Sequence, residues 1–250
     1  MSKSPDLSLV IPAYNEQGRI ASSLDAIADF LGRRDGDSEL IVVDDGSVDG
    51  TARVVRSHAA FGGLLRLIQL PANRGKGAAI REGVLASRGR RVLFSDADLS
   101  TPLSELAKLE AALADGIEIA VASRARRGAE LRERQPFYRV LMGKTFNKMV
   151  QLFATPGIAD TQCGFKLFDG DVARRVFTLS KIDGFGFDVE ILFLARTAGF
   201  SIREIPVVWI NDPHSTVNPI RDSILTFLDL VRIRIHRYDP LPPPSTPDTE

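Results

Sequence analysis

The sequence predicts an α/β fold, with a mostly parallel, Rossmann-like central sheet flanked by helices. Three observations carry this. Short β-rich runs alternate with helical patterns through the first half of the chain. The runs are nearly continuous in apolar residues, as strands buried on both faces are. Polar and acidic residues follow each run, where ligands bind in sheets of this kind.

The elements follow in order. Leu7–Ile11 reads as the first strand, apolar except for Ser8. Ile20, Leu24, Ile27 and Leu31 then repeat at helical spacing. Leu40–Val43 is a second strand, with a helix around Thr51–Ala60. Leu65–Leu70 is a third strand, and Gly77–Ser87 a helix. Arg91–Phe94 is a fourth strand. A helix then starts at Ser100-Thr101-Pro102, with Pro near its first position, and stops at Gly116. Ile117–Ala122 is a fifth strand. The half after Ser123 is less regular: a helix, a strand at Cys163–Phe168, a helix, and a strand at Ile202–Trp209. We expect one domain over residues 1–238, with a binding half at 7–124 and an acceptor half at 125–238. Residues 239–250, rich in Pro, Ser and Thr, read as a disordered tail.

Composition narrows the function. Lys plus Arg and Asp plus Glu both number 32, the pI is about 6.9, and 44% of residues are apolar. Neutral charge gives no support to a nucleic-acid binder working by bulk positive charge. The single Cys163 allows no intrachain disulfide and suits a reducing compartment. No run reaches about 18 apolar residues, so no transmembrane helix is expected. Leu7–Pro12 is too short for a signal-peptide core.

The chemistry lies after the strands. Asp96-Ala97-Asp98 puts two carboxylates two apart at a strand end. Oxygen ligands alone suit Mg²⁺ or Mn²⁺ better than Zn²⁺. The tripeptide by itself also fits a solvated turn with capping aspartates. Asn73-Arg74-Gly75-Lys76-Gly77 offers two basic side chains among glycines, suited to a diphosphate or simply to a loop. It is neither a Walker A loop nor a dinucleotide fingerprint.

Together these motifs resemble family 2 glycosyltransferases of the GT-A fold. The carrying residues are Val10–Glu16, Val43–Ser47, Asn73–Gly77, Asp96–Asp98 and Ser123-Arg124. In the second half, Asp160–Phe168 and Phe187–Glu190 resemble the dolichyl-phosphate β-glucosyltransferases and their bacterial relatives. Dolichol-phosphate mannosyltransferases share the first half but differ more in the second. The resemblance covers about residues 7–238.

It implies inverting, metal-dependent transfer of a hexose, glucose favoured, from a nucleotide sugar, UDP-linked favoured, to a polyprenyl or dolichyl phosphate. Pro12, Tyr14, Glu16 and Asp44 would hold base and ribose, and Asp45 would sit near the ribose or diphosphate. Tyr14 could instead be plain packing. Arg74 and Lys76 would face the phosphates, and Asp96 and Asp98 would bring in Mg²⁺ or Mn²⁺. Arg124, Arg139 and, more weakly, Arg134 match positions that meet the acceptor phosphate, although Arg139 also fits a solvated helix charge. Asp98, Arg124, Arg139 and Asp188 form the expected catalytic set. Asp160 and Asp188 are candidates to orient the acceptor or the sugar hydroxyls, or serve only as caps. Ser100 stands where the mannosyltransferases often place a further metal-contacting Gln. Gln-x-x-Arg-Trp, the mark of processive synthases, is absent. GDP-mannose as donor, a soluble saccharide acceptor, and a non-catalytic nucleotide-sugar binder are the competing readings.

Two amphipathic segments, Gln135–Ala154 and Ile220–Tyr238, mix apolar and basic residues. They fit a membrane interface, a packed core or a dimer contact. We expect peripheral contact with the cytoplasmic face of a membrane, no nucleic-acid partner, and leave the oligomer open.

Overall fold

The computed structural model describes residues 4–58, 61, 64–132, 150–151, 154–210 and 219–241. Arg134, Arg139, most of the 135–154 segment and residues 242–250 lie outside the described residues.

Seven strands form the main sheet: β1 (Leu7–Ala13), β2 (Ser38–Asp44), β3 (Leu65–Gln69), β4 (Arg91–Ser95), β5 (Ile119–Ser123), β7 (Phe165–Asp169) and β8 (Ile202–Pro206). Their order is β3-β2-β1-β4-β7-β5-β8. All pairs are parallel except those of β7, which runs antiparallel to both β4 and β5. Short strands β6 (Glu130–Arg132) and β9 (Val208–Ile210) pair beside it. The α-helices among the described residues are α1 (Ile20–Gly32), α2 (Thr51–Ser57), α3 (Lys76–Leu85), α4 (Leu106–Ala114), α5 (Gly170–Leu179), α6 (Phe187–Thr197) and α7 (Pro219–Ile235).

Alternation along the strands divides the core between the two faces. Leu9, Ile11, Leu40, Phe165 and Leu167 pack on one side with Leu24 of α1 and Leu106 of α4. Val10, Ile41, Phe94 and Phe168 pack on the other with Phe177 of α5 and Phe187 of α6. Phe94 lies 5.8–6.2 Å, centroid to centroid, from Phe168, Phe177 and Phe187. Each such buried ring contributes roughly 1.5–3 kcal/mol through area removed from water.

Three expectations change. The expected Ile202–Trp209 strand is two strands in two sheets, β8 ending at Pro206 and β9 starting at Val208. Proline has no N–H for a ladder, so the chain can change partners there. The expected helix start at Ser100–Pro102 is a 3-10 turn over Leu103–Glu105, and the α-helix begins at Leu106. Gly116, at φ 86°, ends that segment as read. The expected Cys163–Phe168 strand begins two residues later, at Phe165. Cys163 and Gly164 thereby belong to the loop entering the sheet.

Candidate active site

The antiparallel course of β7 decides where the site lies. The carboxyl ends of β1, β2, β4 and β5 share one edge of the sheet. Because β7 runs the other way, its entry loop, Asp160–Gly164, reaches that same edge. Two halves of the sequence therefore meet there.

The first two loops lock together. Asn15, at φ 55°, donates its N–H to Ser47 Oγ (2.9 Å) and accepts from Val48 N–H at Oδ1 (3.0 Å). Tyr14 is 45% exposed beside it, which leaves its ring free for a ligand. Glu16 pairs with Arg19, with Nη2 donating at 2.6 Å. Buried Asp44 accepts from Ser47 N–H and Gln69 Nε2, each at 3.1 Å. Pro12 lies within β1, in register with Val43.

Asp45 ties two loops together. Both its oxygens accept main-chain N–H groups, from Arg74 and Gly75, each at 2.8 Å. Burial pushes its carboxyl above the usual range, against the pull of those two bonds. Asp45 therefore anchors the basic loop. Gly75, at φ 110°, closes the other side: a Cβ there would lie 2.5 Å from the Asp183 carbonyl oxygen. The glycine is needed for packing against residues 182–184. That segment is braced by fully buried Glu190, which accepts from Lys181 N–H (2.8 Å), Ile182 N–H (2.9 Å) and Tyr238 Oη (2.8 Å). Asp183 also pairs with Arg81 and lies 3.6 Å from Arg74 Nη2. Arg74 Nη1 lies 3.4 Å from Glu82.

Lys76 and the two aspartates form the centre. Lys76 Nζ sits 2.5 Å from Asp96 Oδ1, with the two side chains 19% and 35% exposed. Burial works against the Lys76 ammonium, but the carboxylates of Asp96, Asp188 and Asp98 outweigh it and raise its pKa. Asp98 is pushed up by burial and then by the neighbouring Asp96 charge. Its Oδ1 accepts from Ser100 N–H at 2.9 Å, across Leu99 at φ 51°. Among the described residues, no group of three His, Cys, Asp or Glu side chains is placed to hold a metal. Two close carboxylates with repelling charge still fit a hard divalent cation whose other ligands are substrate phosphate oxygens and water.

The loop before β7 shapes the other wall. Asp96 N–H donates to the Gly164 carbonyl at 3.0 Å. A Cβ on Gly164 would fall 2.1 Å from Asp96 Oδ2. Nothing in the local pattern marks Gly164 for this; it takes the meeting of β4 and β7. Cys163 is buried, its Sγ 3.8 Å from Thr101 Oγ1, and burial pushes its thiol up to about 11. It is not a thiolate nucleophile at neutral pH.

Arg124 is clamped by Asp160. Its Nε and Nη2 donate to the two oxygens of Asp160 at 2.8 and 2.9 Å, and its N–H donates to Asp160 at 2.8 Å. Its guanidinium lies 5.4 Å from the Trp209 ring centroid, and 30% of the side chain stays exposed. Burial disfavours the Asp160 carboxylate, yet Arg124 more than offsets this and holds its pKa below the usual range. Asp96 is near enough for its charge to act on Arg124. Glu204, half-buried but with its side chain only 2% exposed, extends the clamp, accepting from Ser123 Oγ (2.8 Å), Asp160 N–H (2.9 Å) and Arg126 Nε (2.9 Å).

Asp188 is only 2% exposed. It pairs with Lys166, whose side chain is fully buried and also donates to the Cys163 carbonyl at 2.8 Å. Burial raises the Asp188 pKa, with Lys166 and then Lys76 opposing. Asp188 is thus buried and paired with Lys166. The sequence gives no role to Gly164, Lys166 and Glu190, which stand within the two second-half motifs, nor to Glu204, which stands outside them. A Lys between Phe165 and Leu167 in a buried strand is a signal of its own.

The described edge therefore brings together Tyr14, Asp44, Asp45, Arg74, Lys76, Asp96, Asp98, Arg124 and Asp188. Comparison with known proteins identifies the family. The family model "Glycosyl transferase family 2" matches residues 8–177. The dolichyl-phosphate β-glucosyltransferase of Drosophila melanogaster is 39% identical, covering 95% of this chain and 76% of its own. The Homo sapiens enzyme of that name is 37% identical, covering 95% and 77%. Among solved structures, glucosyl-3-phosphoglycerate synthase from Mycobacterium tuberculosis in complex with Mn²⁺, UDP-glucose and phosphoglyceric acid aligns with a TM-score of 0.67 at 21% identity, over 92% of this chain and 79% of that one. Mannosyl-3-phosphoglycerate synthase from Rubrobacter xylanophilus aligns with a TM-score of 0.70 at 19% identity, over 92% and 74%. With the GT-A fold of these neighbours and relatives this similar, the chain belongs to glycosyltransferase family 2 and is a glycosyltransferase.

Proposed function

We propose that the enzyme transfers glucose from UDP-glucose to a polyprenyl phosphate, with inversion at the anomeric carbon. The carrying observation is the Asp96–Asp98 pair, with Lys76 in contact and the Arg124–Asp160 clamp close by. The names of the relatives, dolichyl-phosphate β-glucosyltransferases, support the donor sugar and the acceptor class.

Asp96 and Asp98 would hold Mg²⁺ or Mn²⁺. When bound, such an ion supplies Lewis-acid stabilisation of the departing diphosphate. Tyr14 and Asp44 would flank the nucleoside, while Asp45 keeps Arg74 and Lys76 aimed at the phosphates. The acceptor oxygen forms a bond to the anomeric carbon as the bond to the nucleoside diphosphate breaks. A phosphate monoester is largely dianionic at neutral pH and needs no base. The burial of Asp188 agrees with this, since a carboxylate held by Lys166 is poorly placed to take a substrate proton. The exposed part of Arg124 would meet the acceptor phosphate, its fork held ready by Asp160. Arg134 and Arg139 remain proposals for the same role, outside the described residues.

The test is a panel. The protein is incubated with Mn²⁺, a short polyprenyl phosphate or a soluble saccharide, and UDP-glucose, UDP-galactose or GDP-mannose. UDP-glucose should be consumed with the polyprenyl phosphate, and Asp96→Ala and Asp98→Ala should each lower turnover at least about 100-fold. Consumption of GDP-mannose alone, or full turnover by both variants, refutes the reading.

Access to a lipid acceptor would come from α7. No helix among the described residues is long and apolar enough to cross a membrane. Thr226, Asp229, Leu230 and Ile233 of α7 are buried, whereas Leu225, Phe227, Leu228, Val231 and Ile235 are exposed. Leu228, Val231 and Ile235 lie along one face at spacings of three and four, with Arg232, Arg234 and Arg237 nearby. An apolar face with basic neighbours suits an anionic lipid surface. The protein should co-sediment with vesicles containing phosphatidylserine at low salt, and Val231→Glu with Ile235→Glu should lower the bound fraction severalfold. No co-sedimentation of the wild type counts against it.

A further inference from the structure

We propose that Lys76 is the resident counter-ion of Asp96 and that a divalent cation enters by displacing it. The inference rests on the metal reading above and goes beyond it, because it assigns Lys76 a role before any donor binds.

The geometry sets up the exchange. Lys76 Nζ is in direct contact with Asp96 Oδ1. The whole carboxyl group also lies against Gly164, where a Cβ would fall 2.1 Å from Oδ2, 2.3 Å from Cγ and 2.5 Å from Oδ1. Asp96 is therefore held between an ammonium and a backbone wall, and its charge is already compensated. A cation that ligates Asp96 must compete with the Lys76 ammonium at close range, since two cations cannot share that oxygen without repulsion. Lys76 is the mobile partner of the two. It stands at the first position of α3, on a loop pinned by Asp45 and by the packing of Gly75, so its backbone stays while its flexible side chain can swing.

Two acceptors await the released ammonium. Asp188 already acts on Lys76, although one of its oxygens, Oδ1, is engaged by Lys166. A diphosphate in the site is the better one, being anionic and not otherwise paired. The nucleoside diphosphate thus removes the competitor for Asp96 and also supplies metal ligands. Metal and diphosphate bind with positive coupling, which by linkage is the same in either order. Without the diphosphate, the internal ion pair keeps metal affinity low.

The test measures Mn²⁺ binding itself, by the electron paramagnetic resonance signal of free Mn²⁺, with the full chain and no sugar present. Lys76→Gln and Lys76→Met should bind Mn²⁺ about tenfold more tightly than wild type in the absence of nucleotide, within the range typical of such couplings. Adding UDP should tighten Mn²⁺ strongly in the wild type and much less in either variant. Unchanged or weaker Mn²⁺ binding by both variants, with their melting temperatures near wild type, overturns the exchange. Asp96→Asn separates this from the reading beneath it. If Asp96→Asn weakens Mn²⁺ binding while the Lys76 variants fail to tighten it, the exchange alone falls. If Asp96→Asn leaves Mn²⁺ binding unchanged, the metal site falls and the exchange with it.

Discussion

Replacing Lys166 with Met lowers the stability of the fold by about 3–5 kcal/mol, the cost of leaving a buried charge without its partner. Lys166 is the second residue of β7, between Phe94 of β4 and Val121 of β5 in register. Its side chain is fully buried, and its ammonium meets Asp188, the Cys163 carbonyl and the Phe94 ring, 5.1 Å to the centroid. Met nearly conserves the volume but removes the cation. Asp188 then loses its contact partner in a low-dielectric core, keeps only the charge of Lys76, and takes up a proton more readily. Denaturant unfolding of wild type and variant gives the difference directly. Adding Asp188→Leu to Lys166→Met should recover most of the loss, because the charge and its need for a partner leave together. A single-variant loss below about 1 kcal/mol, the range of a surface pair, would mean the pair is of little consequence.

Gly164→Ala cuts turnover by about 100-fold while leaving the protein folded. The added Cβ would lie 2.1 Å from Asp96 Oδ2 and 2.3 Å from its Cγ. Something must move, and the Asp96 carboxyl is the softer element, since the Gly164 carbonyl is tied to the Asp96 N–H. Rotation of that carboxyl breaks the contact with Lys76 and separates it from Asp98. Displacements of about 1 Å at a reacting centre carry losses of this size, whereas the overpacking itself costs only about 1–3 kcal/mol. Steady-state turnover with Mn²⁺ and the donor tests this, alongside circular dichroism to verify folding. Turnover within about twofold of wild type would show that the site absorbs the methyl group without moving Asp96.

Much of this was legible in the residues. Leu7–Ile11, Leu40–Val43 and Arg91–Phe94 read as buried strands because both of their faces are apolar, and each forms one, extended by a residue or more. Asp96 and Asp98 stood out because two carboxylates at a strand end need compensation. The family was carried by short motifs in a fixed order, and the comparison bears that out. The internal partners of several charged residues were not legible. Nothing in the sequence pairs Asp45 with the main chain of Arg74 and Gly75. Nor does it pair Arg124 with Asp160, 36 residues away.

Local pattern settled the alternation of strands and helices, the acidic and basic loops after them, and the family, since each depends on neighbours within a few residues. Only the tertiary structure decided which charges meet. The reversal of β7 brings residues 160–166 to the edge holding residues 96–98, and so pairs Lys166 with Asp188 and seats Gly164 against Asp96. Charge in a sequence is only a count. Its effect depends on distance and on exclusion of water, and for partners tens of residues apart those are set by the packing of the sheet.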